Sequence, residues 1–202
     1  NRINHKKAYG VSIRRPKVLV KGTVIPPKVQ TFIIKNAKKY DITICTVCEL
    51  DDGLMSLLRS GKVHNLVHWA NPRVNSHNAV RTMAMERDCA FDFAIHTRPN
   101  ACQDDIYGIT MTDAEEVMSI ASGAVAISEV GDCGYGEHEH VCIDSGLSFG
   151  RDMSADGLSA LVDKWSSCAA WDDANDAQRK LLSERILSSP SIVAGYFNVL
   201  LG

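Results

Sequence analysis

Acidic residues, a glycine and helix-capping residue types stand together between positions 104 and 129. Thr110, Thr112 and Asp113 precede the helical run 114–121, and all three are residue types that cap helix N-termini. The unpaired N–H groups and the dipole of a helix start attract anions, phosphate above all. Carboxylates, in turn, accept hydrogen bonds from ribose and sugar hydroxyls. The stretch therefore predicts a ligand-binding turn for a molecule that carries both phosphate and hydroxyl groups.

The residues after this turn predict a helix end and a covered strand. Ser122-Gly123 is typical of a helix C-terminus, and the apolar run 124–128 is typical of a strand buried on both faces. The segment 129–136 is rich in glycine, which permits the backbone to approach a ligand closely.

This order of elements resembles the donor half of GT-B glycosyltransferases, in particular the retaining family (glycosyltransferase family 4-like) of glycogen synthase-like and sucrose synthase-like enzymes. That family has two glutamates separated by seven residues, with Phe-Gly between them, and then Glu-Ala-Met-Ala-x-Gly and a Pro-Val-Ile strand. Here Asp105 and Asp113 have the same separation, and Tyr107-Gly108 takes the place of Phe-Gly. Residues 121–127 take the place of the helix end and the strand.

Two registers of this resemblance stay open. Asp105 and Asp113 are each one methylene shorter than the family's glutamates. In the second register, Glu116-Val117-Met118 matches the family's Glu-Ala-Met, and the helix then carries extra residues.

A second match lies at the end of the first predicted strand. In the same family this strand ends in Gly-Arg, and a Lys five residues beyond that Arg joins it on the donor diphosphate. Gly22, Thr23 and Lys28 have this spacing, with Thr23 in place of the Arg. Loss of the Arg removes a bidentate phosphate contact, and Arg98 is a candidate for the missing positive charge. The opposing interpretation is that Lys28 is a solvated residue in the first turn of an ordinary helix.

The resemblance implies a role for each of these residues. Lys28, Asp105 and Asp113 are the implied catalytic residues. The implied donor-binding residues are Gly22, Thr23, Lys28, Arg98, Tyr107, Gly108, Ile109, Thr110 and Glu116. The resemblance implies no cofactor and no metal ion, because the donor substrate is a nucleotide diphosphate sugar. It also implies a glycan acceptor, bound by a further domain of the same polypeptide.

The composition is that of one soluble domain. The 202 residues are 45% hydrophobic and 23% charged, which is enough for a sizeable core. No apolar run approaches the ~18 residues that a membrane span needs, and no signal peptide is visible. Seven cysteines without regular spacing favour a reducing compartment, so we expect a cytoplasmic location.

Positive charge is concentrated at the start of the chain. Eleven of the 22 Lys and Arg residues lie in residues 1–40, and the first acid is Asp41. Residues 1–15 therefore predict a basic linker or tail ahead of a Rossmann-like domain at 16–202. Since the chain starts at Asn1 rather than Met, we expect a fragment of a longer polypeptide.

Two groups of cysteines suggest other chemistry. Cys45 and Cys48 form a C-x-x-C inside an apolar run, where buried core thiols are the favoured interpretation. Cys133 lies in Gly-Asp-Cys-Gly and is followed by further metal-ligand residue types, His138, His140 and Cys142. That cluster is compatible with a zinc site or with the nucleophile turn of a viral cysteine protease.

Strand and helix patterns alternate along the chain. Strands are predicted at 17–21, 41–48, 63–69 and 91–96, with helices at 28–40, 53–60 and up to residue 87. Later helices are predicted at 152–168, 172–187 and 191–201. The alternation predicts an α/β fold, a Rossmann-like doubly wound parallel sheet with helices on both faces, whose ligands bind beyond the carboxyl ends of the strands.

The leading functional hypothesis is a glycosyltransferase, or its donor-binding domain, that transfers a sugar from a nucleotide diphosphate sugar to a glycan or other acceptor. The alternative is a non-catalytic Rossmann-like binding module, viral and contacting RNA through residues 1–21. A cysteine hydrolase at Cys133 is a third hypothesis.

Overall fold

Six strands form one parallel sheet in the part of the chain that the structure describes. The computed structural model describes residues 15–22, 24–46, 49–63, 65–68, 90–97, 105–106, 109–129, 145–150 and 152–186. Its strands are β1 (Lys17–Gly22), β2 (Asp41–Thr46), β3 (Asn65–His68), β4 (Phe93–His96), β5 (Asp105–Ile106), β6 (Ile109–Thr110), β7 (Val125–Glu129) and β8 (Ser148–Phe149). The sheet order is β3-β2-β1-β4-β7-β8, with every neighbouring pair parallel, and β5 and β6 form a separate antiparallel hairpin.

The direction of the crossovers reverses between β1 and β4. Helices α1 (Pro27–Asn36) and α2 (Asp52–Arg59) lead from β1 to β2 and from β2 to β3, whereas α3 (Met111–Ala121) leads to β7 on the other side of β4. Right-handed crossovers in opposite directions place their helices on opposite faces of a sheet. Accordingly, α1 and α2 belong to the large core cluster on one face, while α3 packs against β4 and β7 on the other.

Side-chain caps determine where three of the helices begin. The Asp51 side chain accepts a hydrogen bond from Leu54 N at the start of α2. The hydroxyls of Ser154 and Ser167 do the same at the starts of α4 (Ala155–Lys164) and α5 (Cys168–Leu181). Such caps satisfy backbone donors that the helix itself leaves unpaired. A π-helical turn, Leu182–Ile186, continues α5.

The central strands are buried on both faces. Val18 and Val20 of β1 belong to the cluster beneath α1, and Leu19 belongs to a second cluster on the opposite face. Burial on both faces explains why these strands read as continuous apolar runs rather than as alternating patterns.

Helix α5 supplies polar side chains to the backbone of the sheet. Trp171, Asn175 and Gln178 recur at the spacing that places residues on one face of a helix. Trp171 Nε1 donates to Asp92 O at 2.7 Å, and Asn175 Nδ2 donates to Gly123 O at 3.2 Å. These hydrogen bonds attach α5 to the residues that precede β4 and β7 in the sequence.

Gln178 takes the place of a strand neighbour beside β7. Its Oε1 accepts from Ala126 N at 2.9 Å, and its Nε2 donates to Ala126 O at 2.7 Å. The ladder between β7 and β8 begins only at Ser128, so this edge of β7 has no strand beside Ala126 among the described residues. One side-chain amide therefore provides both the acceptor and the donor that a paired strand would provide.

Helix α4 packs on α1 through hydrogen bonds and ion pairs. Lys35 Nζ binds Asp156 Oδ1 at 2.8 Å, and Lys39 pairs with Asp163. The hydroxyl of Tyr40, which is fully buried, donates to Asp163 Oδ1 at 2.6 Å. Burial, followed by the hydrogen bond with and the charge of Asp163, raises the pKa of Tyr40.

The predicted fold class is confirmed, and several element boundaries are corrected. Helix α1 ends at Asn36 rather than at residue 40; the amides of Lys39 and Tyr40 both donate to Asn36 O, so residues 37–40 form a turn ahead of β2. The helix predicted at 152–168 ends at Lys164, because Ser167 caps a new helix there. The short strands β5, β6 and β8 were not predicted. The helix predicted up to residue 87 and the helix at 191–201 lie outside the described residues.

In the described ranges, no helix combines the length and the apolarity that crossing a membrane would require.

We expect Gln178→Ala to lower the free energy of unfolding by about 2–4 kcal/mol, since it removes two buried hydrogen bonds to one residue of β7. Chemical denaturation of the variant and the wild type measures the difference. Asp176→Ala, an exposed position on the same helix, is the control and should change stability by less than about 0.5 kcal/mol. Equal stability of Gln178→Ala and wild type would contradict a structural role for the amide.

We expect the stability of the protein to fall above pH 10 through Tyr40. The pKa of Tyr40 is raised in the folded state above tyrosine's ordinary value of about 10, so the unfolded chain releases this proton first. The stabilisation is therefore fully present below about pH 10 and is lost as the pH rises further. Denaturation of the wild type and Tyr40→Phe between pH 8 and 11 tests this expectation. A loss of equal size in both proteins would show that Tyr40 is not responsible.

Candidate functional site

The carboxyl edge of the sheet between β1 and β4 is the candidate site. The two strands lie side by side, with Lys21 paired to His96, and the helices that follow them leave toward opposite faces. A crevice opens at such a reversal in open parallel sheets, and ligands of these folds bind there. The topology therefore places the candidate site at the ends of β1, β4 and β7.

The structure brings the two sequence matches to this same edge. Helix α1, which carries Lys28, starts just after the carboxyl end of β1. Helix α3 ends at Ala121, close to the start of β7 at Val125, so its last turn lies at the amino edge. Its 11 residues span about 16 Å, which returns its first turn to the carboxyl edge.

The other predicted residues divide into three groups. Asp105, Ile109 and Thr110 lie in the hairpin before α3, where Asp105 pairs with Thr110. Asp113 is in the first turn of α3. Four predicted site residues lie outside the described residues: Thr23, Arg98, Tyr107 and Gly108.

Lys28 is held by the ends of β7 and β8 rather than solvated. Its Nζ lies 2.7 Å from Glu129 Oε1 and donates to Gly150 O at 2.8 Å. The ammonium also stands 5.2 Å from the centre of the Phe149 ring. The Lys28 side chain is 18% exposed and that of Glu129 only 3%. The interpretation of Lys28 as a solvated helix residue is therefore wrong.

The start of α1 offers few amide donors to an anion. Pro26 and Pro27 have no N–H groups, and the amides of Val29 and Gln30 both donate to Pro26 O. The first turn of α1 thus contributes the side chain of Lys28 more than its backbone. The first turn of α3, by contrast, contains no proline, so each of its residues carries an N–H group.

Gly22 has a packing reason to be glycine. A Cβ at this position would overlap Oγ1 of Thr97 and would lie 3.1 Å from Thr97 O. Thr97 is fixed there, since its hydroxyl donates to Val24 O at 2.8 Å. The resemblance implied that Gly22 binds the donor ligand. The structure shows a second reason for glycine here, which is the close contact between the ends of β1 and β4.

A layer of buried polar residues lies on the α3 face of the same edge. Lys21, His96 and Ser128 are register partners on β1, β4 and β7, so their side chains share one face. Ser128 Oγ donates to Glu116 Oε2 at 2.8 Å, and all four side chains are buried. This places Glu116, the acid of the second register, one turn inside α3 and against the sheet.

The sequence analysis gave no individual side-chain role in the site to Lys21, Ser128 or Glu129. Each follows an apolar run near the carboxyl end of its strand: Val18-Leu19-Val20 precedes Lys21, and Val125-Ala126-Ile127 precedes Ser128 and Glu129. A polar residue at the carboxyl end of a parallel strand was the available signal, because that end faces the ligand crevice.

The prediction of a core thiol is confirmed for Cys45, whereas the cluster around Cys133 lies outside the described residues. Cys45 is a buried cysteine of the core, as predicted. Within the described part of the chain, no group of three or more His, Cys, Asp or Glu side chains is placed to hold a metal ion. The cluster formed by Cys133, His138, His140 and Cys142 lies outside the described residues.

No protein family, curated protein or solved structure matches this chain.

We expect Gly22→Ala to destabilise the protein by about 1–3 kcal/mol, because the added methyl group overlaps Thr97. The cost should be smaller in a Thr97→Ala background, where the overlapping hydroxyl is absent. Urea denaturation of the four proteins in this double-mutant cycle measures the coupling. Additive effects would show that the two strand ends do not press on each other at this point.

Proposed function

We propose that this chain binds a nucleotide diphosphate sugar at the carboxyl edge of its sheet and acts as the donor domain of a glycosyltransferase. The observation that carries the proposal is the position of Lys28, which is held at the strand ends on one side of the crevice. A glycan or similar acceptor would bind to a further domain of the same polypeptide.

Among the described residues, two acceptors bind the ammonium of Lys28, which leaves one of its hydrogen-bond donors for a ligand. A lysine ammonium carries three N–H donors. Glu129 and Gly150 accept two of them, and the side chain remains 18% exposed. The third donor supports a contact with a phosphate oxygen, and the other two hold the ammonium in place before the ligand arrives.

The start of α3 supports a second phosphate contact. The first amides of a helix have no acceptor within the helix and attract anions. The hairpin places Asp105 directly beside the residue that precedes α3, and Asp113 lies in the first turn. In the proposed complex, these two acids accept hydrogen bonds from the sugar or ribose hydroxyls.

Glycosyl transfer needs a stabilised leaving group. The bond between the anomeric carbon and the phosphate oxygen breaks, and the oxygen keeps the electron pair. The acceptor hydroxyl bonds the anomeric carbon, and its proton passes to the leaving diphosphate. Lys28 and the start of α3 would stabilise the charge that develops on that diphosphate. No metal ion has a role in the proposal, which follows the resemblance to the retaining family.

A binding module without turnover is the second candidate. It is favoured by the ion pair with Glu129, since an internal partner gives Lys28 a place in the folded protein without any ligand. Under this candidate, Lys28 would connect α1 to β7 and β8, and nucleotide sugars would not bind.

Thermal shift and calorimetric titration with UDP, GDP, ADP and their glucose esters test the proposal, because a ligand of the folded state raises the melting temperature. Lys28→Ala alone would leave the Glu129 carboxylate buried without its cation, which destabilises proteins strongly. The informative variant is therefore the uncharged pair Lys28→Met with Glu129→Gln.

We expect this double variant to lose about 1–3 kcal/mol of binding free energy for the nucleotide that binds the wild type, the scale of a hydrogen bond to a charged group. Lys35→Met, an exposed lysine in the same helix, is the matched control and should bind as the wild type does. Binding of no nucleotide or nucleotide sugar by the wild type would refute the glycosyltransferase and favour the second candidate.

A further inference from the structure

Glu129 is a buried carboxylate at the place where the proposed diphosphate would bind. It is the last residue of β7 and shares a face with Val125 and Ile127, which belong to the apolar core. Its side chain is 3% exposed, and its Oε1 lies 2.7 Å from Lys28 Nζ. Beside the ligand, the charges of this carboxylate and this ammonium cancel at longer range.

A carboxylate is not required to hold Lys28 in place. Gly150 O already accepts one hydrogen bond from the ammonium, and the Phe149 ring stands beside it. A glutamine at position 129 would accept a hydrogen bond with the same reach and without the cost of burying an anion. The negative charge of Glu129 neutralises the ammonium within the fold, and beside a ligand it also opposes any further negative charge on that ligand.

We infer that Glu129 is a specificity-determining residue, which makes the Lys28 site prefer a nucleotide diphosphate sugar over the free nucleoside diphosphate. This inference rests on the proposed function. In the sugar ester, each phosphate carries about one negative charge, whereas the free diphosphate ends in a phosphate whose second ionisation lies near pH 6. At pH 8 the free diphosphate therefore carries roughly one more negative charge, which Glu129 repels.

The same preference would assist turnover. Cleavage of the donor converts the ester into the free diphosphate within the site, and the leaving group then carries the additional charge. With a bare lysine, the product would bind more tightly than the substrate and would leave slowly. With the Lys28–Glu129 pair, the ester and the free diphosphate each receive one hydrogen bond from Lys28. Glu129 repels the more highly charged free diphosphate more strongly, so this product gains less binding free energy from the pair.

Calorimetric titration of the full chain at pH 8 with each free diphosphate and its glucose ester tests the inference. We expect the wild type to bind the ester more tightly than the free diphosphate. Glu129→Gln should tighten both ligands, and it should tighten the free diphosphate roughly three- to tenfold more than the ester. Asp156→Asn is the control, because it also removes one carboxylate. Asp156 is exposed and pairs with Lys35, which lies on α1 as Lys28 does, so this variant should leave the ratio of the two Kd values unchanged.

The outcomes separate this inference from the proposed function. A wild type that binds neither ligand refutes both. If the wild type binds the ester but the ratio of Kd values is the same in Glu129→Gln, Glu129 has only a structural role and the donor-binding proposal stands. If Glu129→Gln does not fold, the wild type still decides the matter, since tighter binding of the free diphosphate than of the ester would overturn the inference.

Discussion

The pairing of β1 with β4 is the contact on which the rest of the structure depends. It joins Val18 to Phe93 and Lys21 to His96, residues far apart in the sequence, and it places the reversal of the crossovers between them. Because the helices on the two sides of this pair fall on opposite faces, the carboxyl ends of β1 and β4 lie where open parallel sheets form their ligand crevice. The contact of Gly22 with Thr97 shows how closely the two strand ends approach.

The edge of the sheet is completed by side chains rather than by a long strand. β8 contributes only two residues, and Gln178 of α5 bonds both backbone groups of Ala126. Trp171 and Asn175 bond backbone carbonyls further toward the amino edge. A helix that carries amides at the spacing of one face can therefore close a sheet edge that would otherwise be open to pairing with another chain.

Buried ionisable side chains at the carboxyl edge form two sets, one on each face of the sheet. Lys28 and Glu129 lie on the side of α1, and Lys21, His96 and Glu116 lie on the side of α3. Buried charges cost several kcal/mol in desolvation, and apolar residues would serve the core better. These side chains are concentrated at the carboxyl ends of β1, β4 and β7, the edge at which ligands of open parallel sheets bind.

The sequence by itself determined the class of fold and the order of its longer strands and helices. Apolar runs such as Val18-Leu19-Val20 predict buried strands because burial on both faces selects continuous apolar residues, and that signal is local. The capping residue types also predicted a helix in this region, but α3 begins at Met111, so Thr112 and Asp113 lie inside its first turn rather than before it. Helix boundaries are predicted less well where a capping residue lies within a helical pattern. The hydroxyl of Ser167 caps the start of α5 inside the segment 152–168, which the pattern predicts as one helix.

Only the tertiary structure decided what each polar residue contacts. The partners of Lys28 are Glu129 and Gly150, which lie more than a hundred residues away and meet it because β7 and β8 end at the same edge as β1. Likewise, the sequence does not distinguish Gln178 from an ordinary helix residue, and its bonds to Ala126 form only because α5 lies beside β7. Periodicity reports which face of an element is buried, but hydrogen bonds and ion pairs depend on which elements are neighbours, and that is a property of the folded chain.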